Sequence, residues 1–197
     1  MKRFALLLLL SLLMAAFTGV FAQSYKKYIP ERDYKKGRTD LTFLTGVLPT
    51  FLMDGAKINI PPMSVGVERM LSENISIGVQ MGHSSSTTRN ESVFEESKRY
   101  RNSFYFVGIR SAAHCNCRMD NLDIYGGAML GYNLSLISVE NGSFGELEEH
   151  LGIKEKEGKV TYSAFLGVRY ACSKKLTLVG EFGYGISIIQ LGFGYQI

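Results

Sequence analysis

Ile75-Ser76-Ile77-Gly78-Val79-Gln80-Met81-Gly82 is the stretch that decides the fold of this chain. Four large apolar side chains alternate with Ser, Gly, Gln and Gly, and a strict period of two belongs to a β-strand with two unlike faces. The same alternation recurs downstream. Leu122, Ile124, Ala128, Leu130, Tyr132 and Leu134 stand against Asp123, Tyr125, Gly127, Gly131 and Asn133. Tyr162, Ala164, Leu166, Val168 and Tyr170 stand against Ser163, Phe165, Gly167 and Arg169. Ile189, Leu191, Phe193, Tyr195 and Ile197 stand against Gln190, Gly192, Gly194 and Gln196. Stretches at 41–47, 63–71, 103–113 and 176–184 follow the pattern less cleanly, which makes eight segments in all.

The connections alternate as well. Those at 48–62, 84–102 and 139–159 are long, whereas 72–74 and 173–175 are tight. The connection at 114–121 is of middling length, and the short one around Gly185 breaks the rule. An even number of antiparallel strands, with both termini on the tight-turn side, predicts an all-β chain folded as an eight-stranded antiparallel up-and-down transmembrane β-barrel.

Composition agrees. Of 197 residues 46% are hydrophobic and 20% charged, which excludes wholesale disorder. Twenty-one Gly, 12 Phe and 11 Tyr against 4 Pro lean towards strands. Beyond the first two dozen residues no apolar run is long enough for a membrane-spanning helix.

The chain begins with an address. Lys2 and Arg3 precede an apolar run at 4–17 broken only by Ser11, and Val20-Phe21-Ala22 offers a small-x-small cleavage site. Residues 1–22 therefore read as a secretory signal peptide, in preference to an uncleaved anchor helix. No Cys follows the cleavage site, which disfavours a lipoprotein anchor. Residues 23–38 hold 6 Lys and Arg against 2 acids and read as a basic, solvated periplasmic extension. The barrel is expected over 39–197, where 14 basic residues meet 16 acidic ones, so nucleic-acid binding has no support.

A water-soluble barrel, such as a lipocalin-like carrier, would alternate too, but with its apolar face inward. Its outer face should then be rich in charge. Here the second face is mostly Gly, Ser, Gln and Asn, which suits a narrow lumen filled by side chains. The apolar face carries Tyr105, Tyr132, Tyr170, Phe182 and Tyr195 near segment ends, where interfacial girdles belong. Glu68, Arg110, Asp123, Arg169 and Glu181 all share the Gly/Ser face. An Arg facing lipid at the bilayer midplane would cost about 2–4 kcal/mol, so these five are assigned inward as a lumen charge cluster. Arg110 and Asp123 are expected opposite one another, in contact. Arg69 has the outward parity but lies next to the turn at Ser72, within reach of headgroups.

These strands resemble the small eight-stranded bacterial outer-membrane barrels of the opacity-protein, OmpX and OmpW type. The resemblance lies in Phe104-Tyr105-Phe106-Val107-Gly108-Ile109-Arg110, Gly126-Gly127-Ala128-Met129-Leu130-Gly131-Tyr132, Phe165-Leu166-Gly167-Val168-Arg169-Tyr170 and the final Leu191-Gly192-Phe193-Gly194-Tyr195-Gln196-Ile197. Many such barrels end in Phe and this chain ends in Ile. The resemblance implies a Gram-negative type of outer membrane, with outer-membrane lipid and lipopolysaccharide as neighbours. It leaves activity open, because members include adhesins, passive conduits and proteins with no assigned role.

Signs of chemistry are sparse. His83-Ser84-Ser85-Ser86 invites comparison with lipid-deacylating barrels, but a hydrolase needs a base oriented by an acid, and no spacing supplies the acid. Cys115, Cys117 and Cys172 are odd in number; an exported chain meets an oxidising compartment, so a Cys117–Cys172 or Cys115–Cys172 disulfide is expected to be feasible. His114-Cys115-Asn116-Cys117 lacks zinc spacing, so neither metal nor cofactor is expected. The acids and lysines of 146–159 read as a hydrated loop. The expected role is structural or surface-interacting, not enzymatic, with the lumen plugged by charged side chains. Alternatives are a narrow porin-like conduit for small solutes and a lipid-modifying enzyme. Surface ligand and oligomeric state are not legible.

Overall fold

The structure, a computed structural model, describes residues 36–47, 50, 56–90, 98–115, 121–140, 145 and 154–197. The signal peptide expected at 1–22, most of the 23–38 extension and Cys117 lie outside the described residues. Eight strands follow one another: β1 (Thr39–Gly46), β2 (Lys57–Met70), β3 (Ile75–Asn90), β4 (Lys98–Cys115), β5 (Leu122–Val139), β6 (Lys156–Ala171), β7 (Leu176–Gly183) and β8 (Ile189–Gln196). Each pairs antiparallel with its chain neighbour, and β8 closes on β1 through Asp40↔Gln196 to Gly46↔Gln190. Over the stretch shared by all eight strands, closure gives each strand a partner on both sides, which is what a strand must achieve in hydrocarbon. Among the described residues no helix is long and apolar enough to cross a membrane.

The alternation sets what faces out. Every strand contributes to an exposed apolar belt: Phe43, Val67, Met81, Ile109, Leu130, Leu166, Phe182 and Phe193 are each 41–65% exposed. A soluble protein does not present so continuous an apolar surface to water. The opposite parity is buried although polar, with Ser76, Gln80, Asp123, Arg169 and Gln196 all below 9% exposure. Apolar outside and polar inside is a transmembrane barrel, and it overturns the soluble-carrier alternative. Tyr105, Tyr132 and Tyr195 stand exposed, and Arg69 is exposed beside the Leu71–Asn74 turn.

The wall is uneven. Strands β1, β7 and β8 have 8 residues each, whereas β3 to β6 have 16 to 18. The expected loop at 84–102 is in fact mostly ladder: pairing runs on through Ser84↔Phe104 to Asn90↔Lys98. The reason is local. Ser84, Ser85, Ser86, Thr87 and Thr88 are polar on both faces of this ladder, so no hydrophobic alternation marks it as strand. Strand β2 likewise begins at Lys57, ahead of Pro61 and Pro62, and its pairing with β3 shifts register between Ile58 and Met63. Proline has no N–H to give a ladder, and an irregular register accommodates it.

Glycine sets where aromatic side chains enter the lumen. A Cβ on Gly131 would come within 2.3 Å of Phe106 Cε2, and one on Gly167 within 2.2 Å of Tyr125 Cζ. Each ring thus occupies the space that a neighbouring strand leaves vacant. Phe104, Phe106, Met129, Phe165 and Ile186 join Tyr125 in one buried cluster, with Ile186 delivered by the short β7–β8 connection.

Candidate functional site

Ladder rows explain how the lumen charges meet. Glu68, Gly78 and Arg110 are successive register partners on β2, β3 and β4. The central glycine has no side chain, so the flanking Glu and Arg approach over it, with Arg110 Nε 3.7 Å from Glu68 Oε2. Tyr125, Gly167 and Glu181 form a second such row on β5, β6 and β7, and the Tyr125 hydroxyl donates to Glu181 Oε1 at 2.6 Å.

Two guanidiniums organise the network. Arg110 donates from Nη2 and Nη1 to the two carboxylate oxygens of Glu181 at 2.7 and 3.1 Å, and from Nη1 to Gln80 Oε1 at 3.1 Å. Arg169 donates to Asp40 Oδ2 at 3.0 Å and to Glu68 Oε2 at 2.6 Å. Both cations also lie over rings, Arg110 4.0 Å from the Phe165 centroid and Arg169 4.4 Å from that of Tyr125. Arg110 is 3% exposed and Arg169 1%. A buried cation without partners would be prohibitively costly, and charge-assisted bidentate bonds are the strongest remedy available to Arg.

Four of the five expected residues, Glu68, Arg110, Arg169 and Glu181, are thus joined directly. Asp123 is buried with them but does not touch Arg110, contrary to expectation. The β4–β5 ladder pairs Arg110 with Met129, because β4 runs to Cys115 and the hairpin folds about a point three residues later than the expected pairing requires. Asp123 instead accepts from His114 Nδ1 at 2.8 Å, a diagonal contact across the ladder row His114↔Tyr125.

Asp40, Ser76, Gln80, His114 and Tyr125 are the members that sequence reading missed. A signal was available for His114, which shares the inward parity of Arg110 on β4. The expected 114–121 connection placed it outside the strand.

Ser76, His114 and Asp123 have the outline of a hydrolase triad, with His114 Nε2 2.8 Å from Ser76 Oγ. Its hydrogen bonding is wrong for one. Ser76 spends its hydroxyl proton on Glu68 Oε1, so His114 does not receive it as a general base must. The serine has 0% exposure, out of reach of substrate. His83 instead bonds the Phe104 carbonyl oxygen through Nδ1 at 3.0 Å and stacks on Tyr105.

Cys115 and Cys172 are free and exposed, which corrects the expected Cys115–Cys172 bridge. They lie at the ends of β4 and β6, two strands apart with β5 between them, beyond the reach of a disulfide. The Cys117–Cys172 alternative involves a residue outside the described ones. Among the described residues no group of three or more His, Cys, Asp or Glu could hold a metal ion.

The fold and its outward apolar belt define the small eight-stranded transmembrane barrel. No protein-family model matches the chain, and no curated protein does. Solved structures are similar. The outer membrane protein OprG from Pseudomonas aeruginosa aligns at a TM-score of 0.53 and 11% identity, over 83% of this chain and 97% of that one. Ail, the attachment invasion locus protein of Yersinia pestis, in complex with the heparin analogue sucrose octasulfate, aligns at 0.49 and 11% identity over 82% and 99%. Neisserial surface protein A aligns at 0.46 and 11% identity over 81% and 94%. At these identities the likeness to OprG establishes the fold and nothing further.

Proposed function

We propose that this chain is an outer-membrane barrel with a structural or surface-interaction role, its lumen closed by side chains and not kept open for solutes. The carrying observation is the pair Arg110 and Arg169, 3% and 1% exposed and held between Asp40, Glu68 and Glu181. Side chains of an eight-stranded barrel are just able to fill its interior. The charged layer blocks the cross-section with fixed ion pairs, and Phe104, Phe106, Phe165 and Ile186 close it with hydrocarbon. A water-filled conduit would keep its charges hydrated. The apolar belt faces lipid, with lipopolysaccharide as the expected outer-leaflet neighbour. The tight turns face the periplasm, and the tall β3–β6 wall rises on the outside, presenting loops to surface ligands.

Two measurements test this reading. Lys156→Cys, on the tall wall, should react with an impermeant maleimide in intact cells, and Lys174→Cys only after permeabilisation, both in a background with native cysteines replaced by Ser. The reverse pattern inverts the topology. Liposomes carrying the wild-type barrel should not swell in isotonic small sugars; swelling would favour the conduit and defeat the closed lumen.

A further inference from the structure

His114 sits at the tight-turn end of the lumen, and with Glu68 and Asp123 ionised one protonation state of the ring satisfies its contacts to both Asp123 and Ser76. Nδ1 lies 2.8 Å from Asp123 Oδ2, which as an ionised carboxylate can only accept. Nε2 lies 2.8 Å from Ser76 Oγ. That hydroxyl has a single proton, already given to Glu68 Oε1, so Oγ must accept from the ring. Both ring nitrogens therefore donate, and a histidine that donates twice is an imidazolium.

The charge count agrees. Asp40, Glu68, Asp123 and Glu181 are four buried carboxylates, and Arg110 and Arg169 are two buried guanidiniums. A third cation narrows the excess of negative charge. The ring is placed to be that cation: Nε2 is 3.6 Å from Glu68 Oε1 as well, and the ring stacks on Tyr125 at 5.4 Å.

We propose that His114 is a proton-operated latch, an imidazolium that ties β2, β3 and β5 to β4 at the periplasmic mouth and loosens when it loses its proton. Among the described residues the groups facing it are Asp40 from β1, Glu68 from β2, Ser76 from β3, Asp123 and Tyr125 from β5, and Arg169 from β6. Two neutral tautomers are available, and each breaks a contact. With the proton on Nδ1, Nε2 takes the Ser76 hydroxyl proton and Glu68 Oε1 loses that donor. With the proton on Nε2, a lone pair on Nδ1 confronts the Asp123 carboxylate. The released proton passes to periplasmic water. The sign follows: the latch strengthens the barrel while the ring is charged and weakens it as pH rises through the titration of His114 in the folded state.

The latch rests on the closed-lumen reading for its functional meaning, and its test is independent of conductance. In refolded barrel with His83 and His150 changed to Asn, His114 is the only histidine left. Nitrogen-15 NMR of that protein at pH 6 should show protons on both ring nitrogens. A neutral ring at pH 6 in the folded barrel overturns the latch, and this measurement needs no substitution at His114 itself. Between pH 6 and 9 the urea midpoint of the same protein should fall, and His114→Gln in the same background should lose that shift. Parallel profiles for the two proteins would equally overturn it. A stable channel at pH 6 would defeat the closed lumen while leaving the latch standing, so the two failures are distinguishable.

Discussion

Arg169→Met isolates the energetic claim. The guanidinium is 1% exposed and donates to Asp40 at 3.0 Å and Glu68 at 2.6 Å, while covering the Tyr125 ring. Methionine fills much of the volume but supplies neither charge nor donor. Glu68 keeps Ser76 and a longer contact to Arg110, so it is only partly stranded. Asp40 keeps no side-chain hydrogen bond among the described residues, because its other oxygen, Oδ1, is buried without a hydrogen-bond partner there. Removing one member of a buried ion pair costs about 3–5 kcal/mol, most of it the penalty of the charge left behind. Unfolding in urea after refolding into micelles, followed by the heat-dependent mobility shift in SDS gels, would read the change. The triple variant Arg169→Met, Asp40→Asn, Glu68→Gln should recover a large part of the loss, since it removes the orphaned charges too. A loss below about 1 kcal/mol for Arg169→Met would place these groups among hydrated surface pairs and rule out a buried charge network.

Further outcomes follow from packing and from the belt. Leu166→Arg puts a cation on the lipid face of β6 and should cost about 2–4 kcal/mol in the same urea assay, whereas a soluble exterior would tolerate it. Gly167→Val drives a side chain into Tyr125 and should lose about 1–3 kcal/mol together with the Tyr125–Glu181 bond, visible as altered tyrosine near-UV dichroism. Cys115 and Cys172 should both react with maleimide in the folded barrel without prior reduction; protection of Cys172 that dithiothreitol relieves would show a disulfide instead.

The architecture was legible because a barrel wall is a local pattern. Phe193 and Gly194 declare their faces by their neighbours alone, and tight turns against long connections give the order of strands. The inward parity of Arg110 and Arg169 was legible for the same reason. Their partners were not. Arg169 reaches Asp40 across 129 residues of chain because the barrel closes, and no local periodicity encodes that span. Asp40 lies one residue before the first alternating segment, 41–47, and so carried no strand signal. The Arg110–Asp123 expectation failed on a hairpin position: a shift of three residues moved Asp123 from Arg110 to His114. The upper ladders give no period of two because Ser84, Ser85, Ser86, Thr87 and Thr88 are polar on both faces, and alternation then carries no signal.

The closed lumen is tested most directly by single-channel recording of the wild-type barrel in a planar lipid bilayer at pH 6. With Arg110 and Arg169 paired below an aromatic layer, the membrane should stay silent after verified insertion of the folded protein. A long-lived conductance of uniform amplitude would contradict it, and would mean that the charges line a water-filled path.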